Sequence, residues 1–259
     1  MHKYFAVFTL SFIHSLRNYK TIGGLSIFLI TCLVIFAHLW KIAAAKTGVA
    51  HLLPEELLWY IAFNEWVLVS TPDIQEEMEH DMRIGRLAYL LPRPISYLGS
   101  MYAEAVGTLS AHLIALGAVA FVFTRFYGGG ITFSIEVFPI MLLFGFLSGL
   151  LAILFQMCIG LSAFWLHEVS PFYWIWEKLL FMFGGLMLPL TVYPQWMQVI
   201  AQCTPFPAIL GQRSALVIDC TASHIAMLAF SYIAWGFVGI LLLQVLYRRG
   251  LYALNIEGG

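Results

Sequence analysis

Charged residues are scarce in this chain. Of its 259 residues only 10% are Asp, Glu, Lys or Arg and 61% are hydrophobic, whereas about a quarter of a soluble domain is charged. This composition excludes an ordinary water-soluble domain, because most of the surface must face lipid. The net charge of −1 and the lack of a basic stretch also exclude a typical nucleic-acid partner.

Motifs of catalytic and nucleotide chemistry are missing as well. The sequence has no G-x-x-x-x-G-K-[ST] phosphate loop, so we expect any ATP and magnesium to be bound by a partner chain. It has neither His-Glu-x-x-His nor a Ser-His-Asp set. Glu77 and His80 form a single Glu-x-x-His without a second set of ligands. We therefore predict neither an enzyme nor a metal site.

There are only four cysteines. Cys32 and Cys158 lie in apolar runs and are typical of small packing residues. Cys203 and Cys220 lie outside these runs and could form a disulfide in an oxidising periplasm, although spacing alone does not show it.

Long apolar runs dominate what is present. A hydrocarbon core of about 30 Å requires roughly 20 apolar residues per helix. The sequence predicts an all-α integral membrane protein, one domain over residues 1–259, with six transmembrane helices. Their predicted positions are 22–40, 57–71, 96–123, 137–165, 172–190 and 225–246.

The loop charges indicate the orientation. Six spans place both termini on one side, and that side carries eight Lys and Arg residues against four on the other. The first group is Lys3, Arg17, Lys20, Arg83, Arg86, Arg93, Arg248 and Arg249. The second group is Lys41, Lys46, Arg125 and Arg213. Because positive charge favours the cytoplasm, both termini are predicted to be cytoplasmic.

The first twenty residues do not resemble a cleavable signal peptide. Lys3, Arg17 and Lys20 accompany an apolar run that Ser11 interrupts. We predict an amphipathic helix lying along the cytoplasmic interface. A disordered basic tail is the alternative.

The most hydrophilic stretch is the cytoplasmic segment 73–94. Its spacing predicts a helix over residues 74–91, with Ile74, Met78, Met82 and Tyr89 along one side. Glu79 and Arg83 are spaced to form an i, i+4 pair. Such a helix could contact a cytoplasmic partner, or the segment could be a solvated loop whose charges only enforce topology.

Ionisable residues inside predicted spans are costly and therefore candidates for function. The polar residues that could line a pathway are Asn64, Glu65, Glu104, Glu177 and Lys178. They would suit a cationic or amphipathic substrate. The alternatives are an interhelical ion pair, with Glu65 or Glu104 as the partner of Lys178, and side chains that snorkel to the interface.

Eight residues of the cytoplasmic segment resemble the signature of ABC-2 type permeases, and more narrowly that of the ABC-2 family transporter proteins. They are Ile84, Gly85, Leu87, Leu90, Leu91, Arg93, Pro94 and Ser96. The resemblance extends over nearly the whole chain. It includes the terminal Gly258-Gly259 and a segment after the fifth span, namely Gly184, Pro189, Leu190, Pro194, Trp196, Pro205 and Phe206.

The resemblance implies a permease subunit whose N-terminal helix 1–20 and helix 74–91 contact a separate ABC ATPase. The coupling residues would be Ile74, Met78, Glu79, Met82, Arg83 and Arg86. The chain departs from the family in the acidity of this loop. Export is the direction that the resemblance favours, across a bacterial inner membrane.

The resemblance also bears on the outer segment 193–221, which is too polar and too rich in proline to span. Like its family counterpart it would dip back as short helices that cap the pathway, through Pro189, Pro194, Trp196, Pro205 and Phe206. A plain surface loop is the alternative.

The sequence also leads to expectations about assembly and about two rival functions. Six spans are few for enclosing a pathway, so we expect a dimer with an identical or homologous chain in the lipid. One rival function is an ion-coupled transporter or channel that acts alone through Glu65 and Glu104. Another is a membrane anchor that does not transport.

Overall fold

The computed structural model describes residues 2–47, 54–90, 92, 94–128, 130, 131, 133, 134, 136–166 and 168–257. These residues form helices and no strand. Met1, Leu91, Arg93, Gly258 and Gly259, which entered the sequence analysis, lie outside the described residues.

The helices vary widely in length. In chain order they are α1 (His2–Arg17), α2 (Tyr19–Thr47), α3 (Pro54–Ser70), α4 (Ile74–Arg83), α5 (Leu87–Leu90), α6 (Tyr97–Tyr127), α7 (Val137–Gly160), α8 (Ser170–Phe183), α9 (Gln195–Gln202), α10 (Phe206–Ile209), α11 (Gly211–Ser214) and α12 (Ala222–Glu257). Three 3-10 helices lie at Leu161–Phe164, Leu190–Val192 and Ala215–Val217.

Among the described residues, four helices are long and apolar enough to cross a bilayer. They are Tyr19–Ile42, Tyr97–Tyr127, Val137–Phe164 and Ala222–Tyr252. The predicted spans 57–71 and 172–190 correspond to α3, with 17 residues, and α8, with 14. Both are shorter than the roughly 20 residues that a bilayer core requires. The all-helical membrane fold is confirmed, and the count of six spans stays a prediction.

Helix α3 forms the centre of the protein. Every residue from Leu57 to Val67 is buried, including the large side chains of Trp59, Tyr60 and Trp66. A helix that is covered on all sides must lie inside a bundle, and α3 packs against α2, α6, α7 and α11. By contrast, most of the spanning part of α12 is uncovered by the protein.

The N-terminal helix α1 packs lengthwise along the first half of α6. Tyr4 accepts a hydrogen bond from the Ser96 backbone N–H (3.1 Å), and Ser11 donates to the Glu104 carbonyl (2.8 Å). Near Phe8 the backbones approach so closely that a Cβ on Gly107 would lie 2.5 Å from the Phe8 carbonyl oxygen. Helix α1 is therefore held against α6, and its predicted position along the cytoplasmic interface stays a prediction.

Several apolar side chains of α1 are exposed. Phe5 and Leu10 are 69% and 72% exposed. Since water would not favour two such side chains, this face is suited to lipid. Only Asn18 separates α1 from α2.

Candidate functional site

The cytoplasmic helix is shorter than the sequence predicted. Helix α4 ends at Arg83 rather than continuing to residue 91, and a separate short turn, α5, follows. The break lies at Gly85, whose φ of 69° is a left-handed conformation that side chains disfavour. The prediction of one helix over 74–91 is therefore wrong.

The apolar side of α4 is covered by the protein itself. Ile74 and Met78 are 1% and 0% exposed, and α4 packs against α7 and the 3-10 turn that follows it. Met82 is half-buried. Ile74 and Met78 therefore attach α4 to the membrane helices and have no surface left for a partner, whereas Tyr89, which was predicted on the same side, is exposed.

Ion pairs and hydrogen bonds fix α4 further. The predicted Glu79–Arg83 pair is present at 2.7 Å. The second carboxylate oxygen of Glu79 accepts from the Val169 backbone N–H (3.2 Å), immediately before α8 begins. Arg86 pairs with the buried Asp81 at 3.1 Å. These contacts connect α4 to α8 as well as to α7, so movement of α4 would be transmitted to both.

The exposed face of the 74–90 segment is mainly polar. Its members are Glu76, Glu77, His80, Arg83, Ile84, Arg86 and Tyr89. Partial burial, together with the charges of Glu104 and Asp81, raises the pKa of Glu77, while Arg86 acts in the opposite direction. A partner that docks here would meet a surface of mixed charge, on which two glutamates and two arginines balance, with few apolar side chains.

Two of the predicted pathway residues share a cavity. It has a volume of about 440 Å³ and lies between α2, α3, α7 and α8, where Glu65 and Glu177 both line it. Glu65 is only 4% exposed. The structure therefore brings together two of the five candidates, and we call this space the acidic cavity.

The other three candidates lie elsewhere. Glu104 is exposed on α6, close enough to α4 to affect Glu77. Lys178 is exposed, and its Nζ lies 5.4 Å from the ring centre of Phe181. Within the described part of the chain it forms no ion pair with Glu65 or Glu104, so that predicted pairing is not found.

Polar residues that sequence reasoning missed surround one end of the acidic cavity. The Tyr173 hydroxyl donates to the exposed carboxylate of Asp73 (3.2 Å), and the Gln156 side-chain amide donates to Tyr173 (3.2 Å). All three line the cavity. Asp73 immediately precedes α4, and Tyr173 lies in the first turn of α8. Their positions in the sequence do not show that the two side chains meet, because only the fold brings them together.

Asn64, the remaining candidate, holds an unwound segment rather than lining the acidic cavity. Helix α8 stops at Gly184-Gly185, where Gly185 has a φ of 73°, and leaves backbone carbonyls without helical partners. The Asn64 amide donates to the carbonyls of Gly185 (3.3 Å) and Leu186 (3.1 Å). Tyr60 also donates to Gly185. Side chains of α3 thus replace the lost helical bonds.

Arg213 is fully buried beside this segment, although the sequence analysis counted it as an outer loop charge. Its Nη2 donates to the Phe63 carbonyl (2.7 Å), and its Nε and Nη1 have no protein partner among the described residues. Ser214 donates to Asn64 (2.7 Å). The sequence signal for the burial of Arg213 was its position in the largely apolar stretch 205–218.

The outer segment forms short helices that enter the bundle. Phe206 and the rest of α10 are buried, as are Pro189 and Pro205. The Tyr232 hydroxyl of α12 donates to the Ala208 carbonyl (2.8 Å). A plain surface loop does not describe this arrangement. The depth of these helices in a bilayer stays a prediction.

Helix α9 differs from α10 in remaining on the surface. Pro194 and Trp196 are exposed, together with Val199. Its apolar outer side is typical of a helix at the membrane–water interface. Cys203 and Cys220 are free, exposed thiols, so a disulfide between them stays a prediction.

A second cavity is almost wholly apolar. It has a volume of about 560 Å³ between α3, α6 and α7 and is lined by aromatic side chains such as Trp59, Trp66 and Phe121. The Trp66 indole N–H is occupied by the Leu113 carbonyl at 2.8 Å. The lining of this cavity is apolar, as lipid tails are, and it offers few polar groups that could bind a polar ligand.

These features define a multi-pass helical membrane protein with a polar cavity inside and a charged helix outside. A family model described as ABC-2 family transporter protein matches residues 55–258, and the chain belongs to that family. The match begins in α3 and leaves α1 and α2 outside. A comparison with curated proteins finds no match.

Proposed function

We propose that this chain is the membrane-spanning permease subunit of an ATP-driven ABC exporter, acting as a dimer with a separate ATPase. Membership of the ABC-2 transporter family supports the permease assignment and, in general, an ABC ATPase partner. The sequence contains no phosphate loop. Hydrolysis of ATP by a partner would supply the energy for transport.

The observation that carries the proposal is the mounting of α4. Its apolar side is fixed to α7, its Glu79 reaches the start of α8, and its opposite side is exposed and charged. Closure of the ATPase pair would push on this exposed side. The displacement would reach α7 and α8, which both line the acidic cavity, and would switch its access between the two sides of the membrane.

The contact residues of the proposal differ from those expected at first. Ile74 and Met78 now serve to anchor α4, while Glu76, Glu77 and His80 present the partner surface. Helix α1, being fixed to α6, offers a second cytoplasmic contact near Lys3. We keep the proposed location in a bacterial inner membrane with both termini in the cytoplasm.

Dimerisation is supported by uncovered helices. The spanning parts of α2 and α12 are little buried by the protein itself, so lipid and a second permease chain can both cover them. The two residues of the rival ion-coupled function, Glu65 and Glu104, do not line the same cavity.

Affinity purification of the tagged chain in mild detergent tests the proposal. We expect a P-loop ATPase to co-purify, and the double charge reversal Glu76→Lys with Glu77→Lys to remove it. Glu136→Lys is the control, because Glu136 is also exposed and precedes α7 at the predicted outer side. Recovery of stable wild-type protein without any ATPase would overturn the proposal and favour the ion-coupled function.

A further inference from the structure

We propose that the acidic cavity binds an organic cation with an apolar body, and that Glu65 is its counter-ion. This inference rests on the proposed transport function and names the chemical class of its substrate. The first observation is that Glu65, which carries a carboxylic acid, is only 4% exposed.

Glu65 is unlike the other buried polar residues of α3. Asn64 and Ser70 form hydrogen bonds to backbone or side-chain groups of the protein. The described residues provide Glu65 with no hydrogen bond and no ion pair, although its side chain lines the cavity. Burial of a carboxylate without a partner is costly, so a site that retains one is suited to a ligand that supplies the positive charge.

The lining has one sign of charge. Its ionisable carboxylates are Glu65, Asp73 and Glu177, and no Lys, Arg or His lines it in the part of the chain that the structure describes. Lys178 lies outside the lining, over the ring of Phe181, and its charge offsets part of that of Glu177. A cavity of this sign attracts cations and repels anions.

The remaining walls of the cavity favour a ligand with an apolar organic part. Phe28, Phe36, Trp176 and Phe181 contribute aromatic surface, which contacts apolar groups and attracts cations through its π-electrons. A volume of about 440 Å³ falls in the range of cavities that hold drug-sized ligands. A bare metal ion would instead require several ligands close together, and the described residues contain no group of three or more His, Cys, Asp or Glu side chains that could hold one.

The cavity is also polarised along its length. Exposed Asp73 with Tyr173 and Gln156 forms its polar end, eight residues along the chain from Glu65. A cation could lose its water beside Asp73 and move to Glu65 between aromatic walls. The geometry points to an amphipathic cation rather than a small hydrophilic one.

Equilibrium binding tests the inference with the purified full chain in lipid nanodiscs. The probe is radiolabelled tetraphenylphosphonium, a permanent organic cation, with empty nanodiscs as the baseline. We expect Glu65→Gln to weaken binding by about ten-fold or more, because it removes a buried counter-ion. Glu104→Gln, a change outside the cavity, should leave binding unchanged. Neutral triphenylphosphine oxide should not distinguish Glu65→Gln from the wild type.

Equal binding of the cation to the wild type and Glu65→Gln would overturn the inference. A measurement on the unmodified chain guards against misfolding of the variant. Cys32 lines the same cavity, so tetraphenylphosphonium should slow its alkylation by N-ethylmaleimide, read by peptide mass spectrometry, and leave exposed Cys203 unaffected. An unchanged rate at Cys32 would also overturn it. Neither assay needs the ATPase, so a wild-type chain that binds no cation but still co-purifies with an ATPase would refute the cation inference alone.

Discussion

The contact between α11 and the end of α8 gives a sharp prediction about stability. At Gly211 an added Cβ would lie 2.6 Å from the Gly184 carbonyl oxygen and 2.7 Å from the Tyr60 hydroxyl. Neither group can retreat easily, since Gly184 O also accepts the Gly211 N–H at 2.8 Å and Tyr60 holds Gly185. Gly211→Ala should therefore displace the outer segment from α3.

The expected magnitude follows from these contacts. Overpacking costs about 1–3 kcal/mol, and loss of the backbone hydrogen bond adds about 1 kcal/mol. For a chain of this length the unfolding temperature should fall by roughly 5–10 °C. Gly236→Ala is the matched control, because nothing lies within 4 Å of the added atom. There alanine should be neutral or stabilise α12 by up to about 1 kcal/mol.

Intrinsic tryptophan fluorescence during heating in detergent provides the assay, since the chain contains 8 tryptophans. Opposite signs for the two glycine substitutions would support the described packing. A Gly211→Ala protein that unfolds within about 1 °C of the wild type would show that α11 does not contact α8 in this way.

Three further predictions concern other parts of the molecule. Asn64→Leu should lower stability by about 2–4 kcal/mol, because the Leu186 carbonyl and the Ser214 hydroxyl lose their partner; an unchanged melting curve would contradict this. Glu77→Gln should stabilise the protein near neutral pH, since the raised pKa of Glu77 penalises its charged form, and melting temperatures should show the gain vanish below about pH 4. Gly107→Ala should detach α1, which faster trypsin cleavage at Arg17 would reveal, whereas Gly23→Ala, with open space at its Cβ, should not.

Hydropathy predicted the long helices well because a single property, the length of the apolar run, determines whether a helix can span the bilayer. The runs 22–40, 96–123, 137–165 and 225–246 each lie within or nearly within a helix long enough to span. Three of these helices extend beyond the predicted spans, since a helix continues past the lipid while its backbone bonds remain satisfied, whereas Val137–Phe164 agrees with the predicted 137–165. The sequence therefore located these spans but underestimated the lengths of three of them.

The short elements could not be predicted in the same way. The end of α8 at Phe183 depends on partners for its freed carbonyls, and these come from α3, more than a hundred residues earlier in the chain. Burial of Met78 likewise depends on α7. Spacing shows which face of a helix is apolar, but it does not show whether the protein or a partner covers that face.

The sequence predicted which types of residue belong to the candidate site, but it did not predict which of these residues lie together. Glu65 and Glu177 share a cavity, whereas Glu104 belongs to the surface near α4. Arg213 was misplaced because charge in a loop is ordinarily solvated. An arginine inside a mostly apolar run was the one indication of burial.

The attachment of the α8 end to α3 has a consequence for biogenesis. Tyr60 and Gly185 are separated by 125 residues, so α3 leaves the ribosome well before the carbonyls that it will satisfy. Until both are in the membrane, the unwound stretch would present bare peptide groups to hydrocarbon, which is strongly unfavourable. The second half of the protein is therefore expected to remain at the insertion machinery until α3 can receive it, and truncation of α3 should cause degradation of the chain during synthesis.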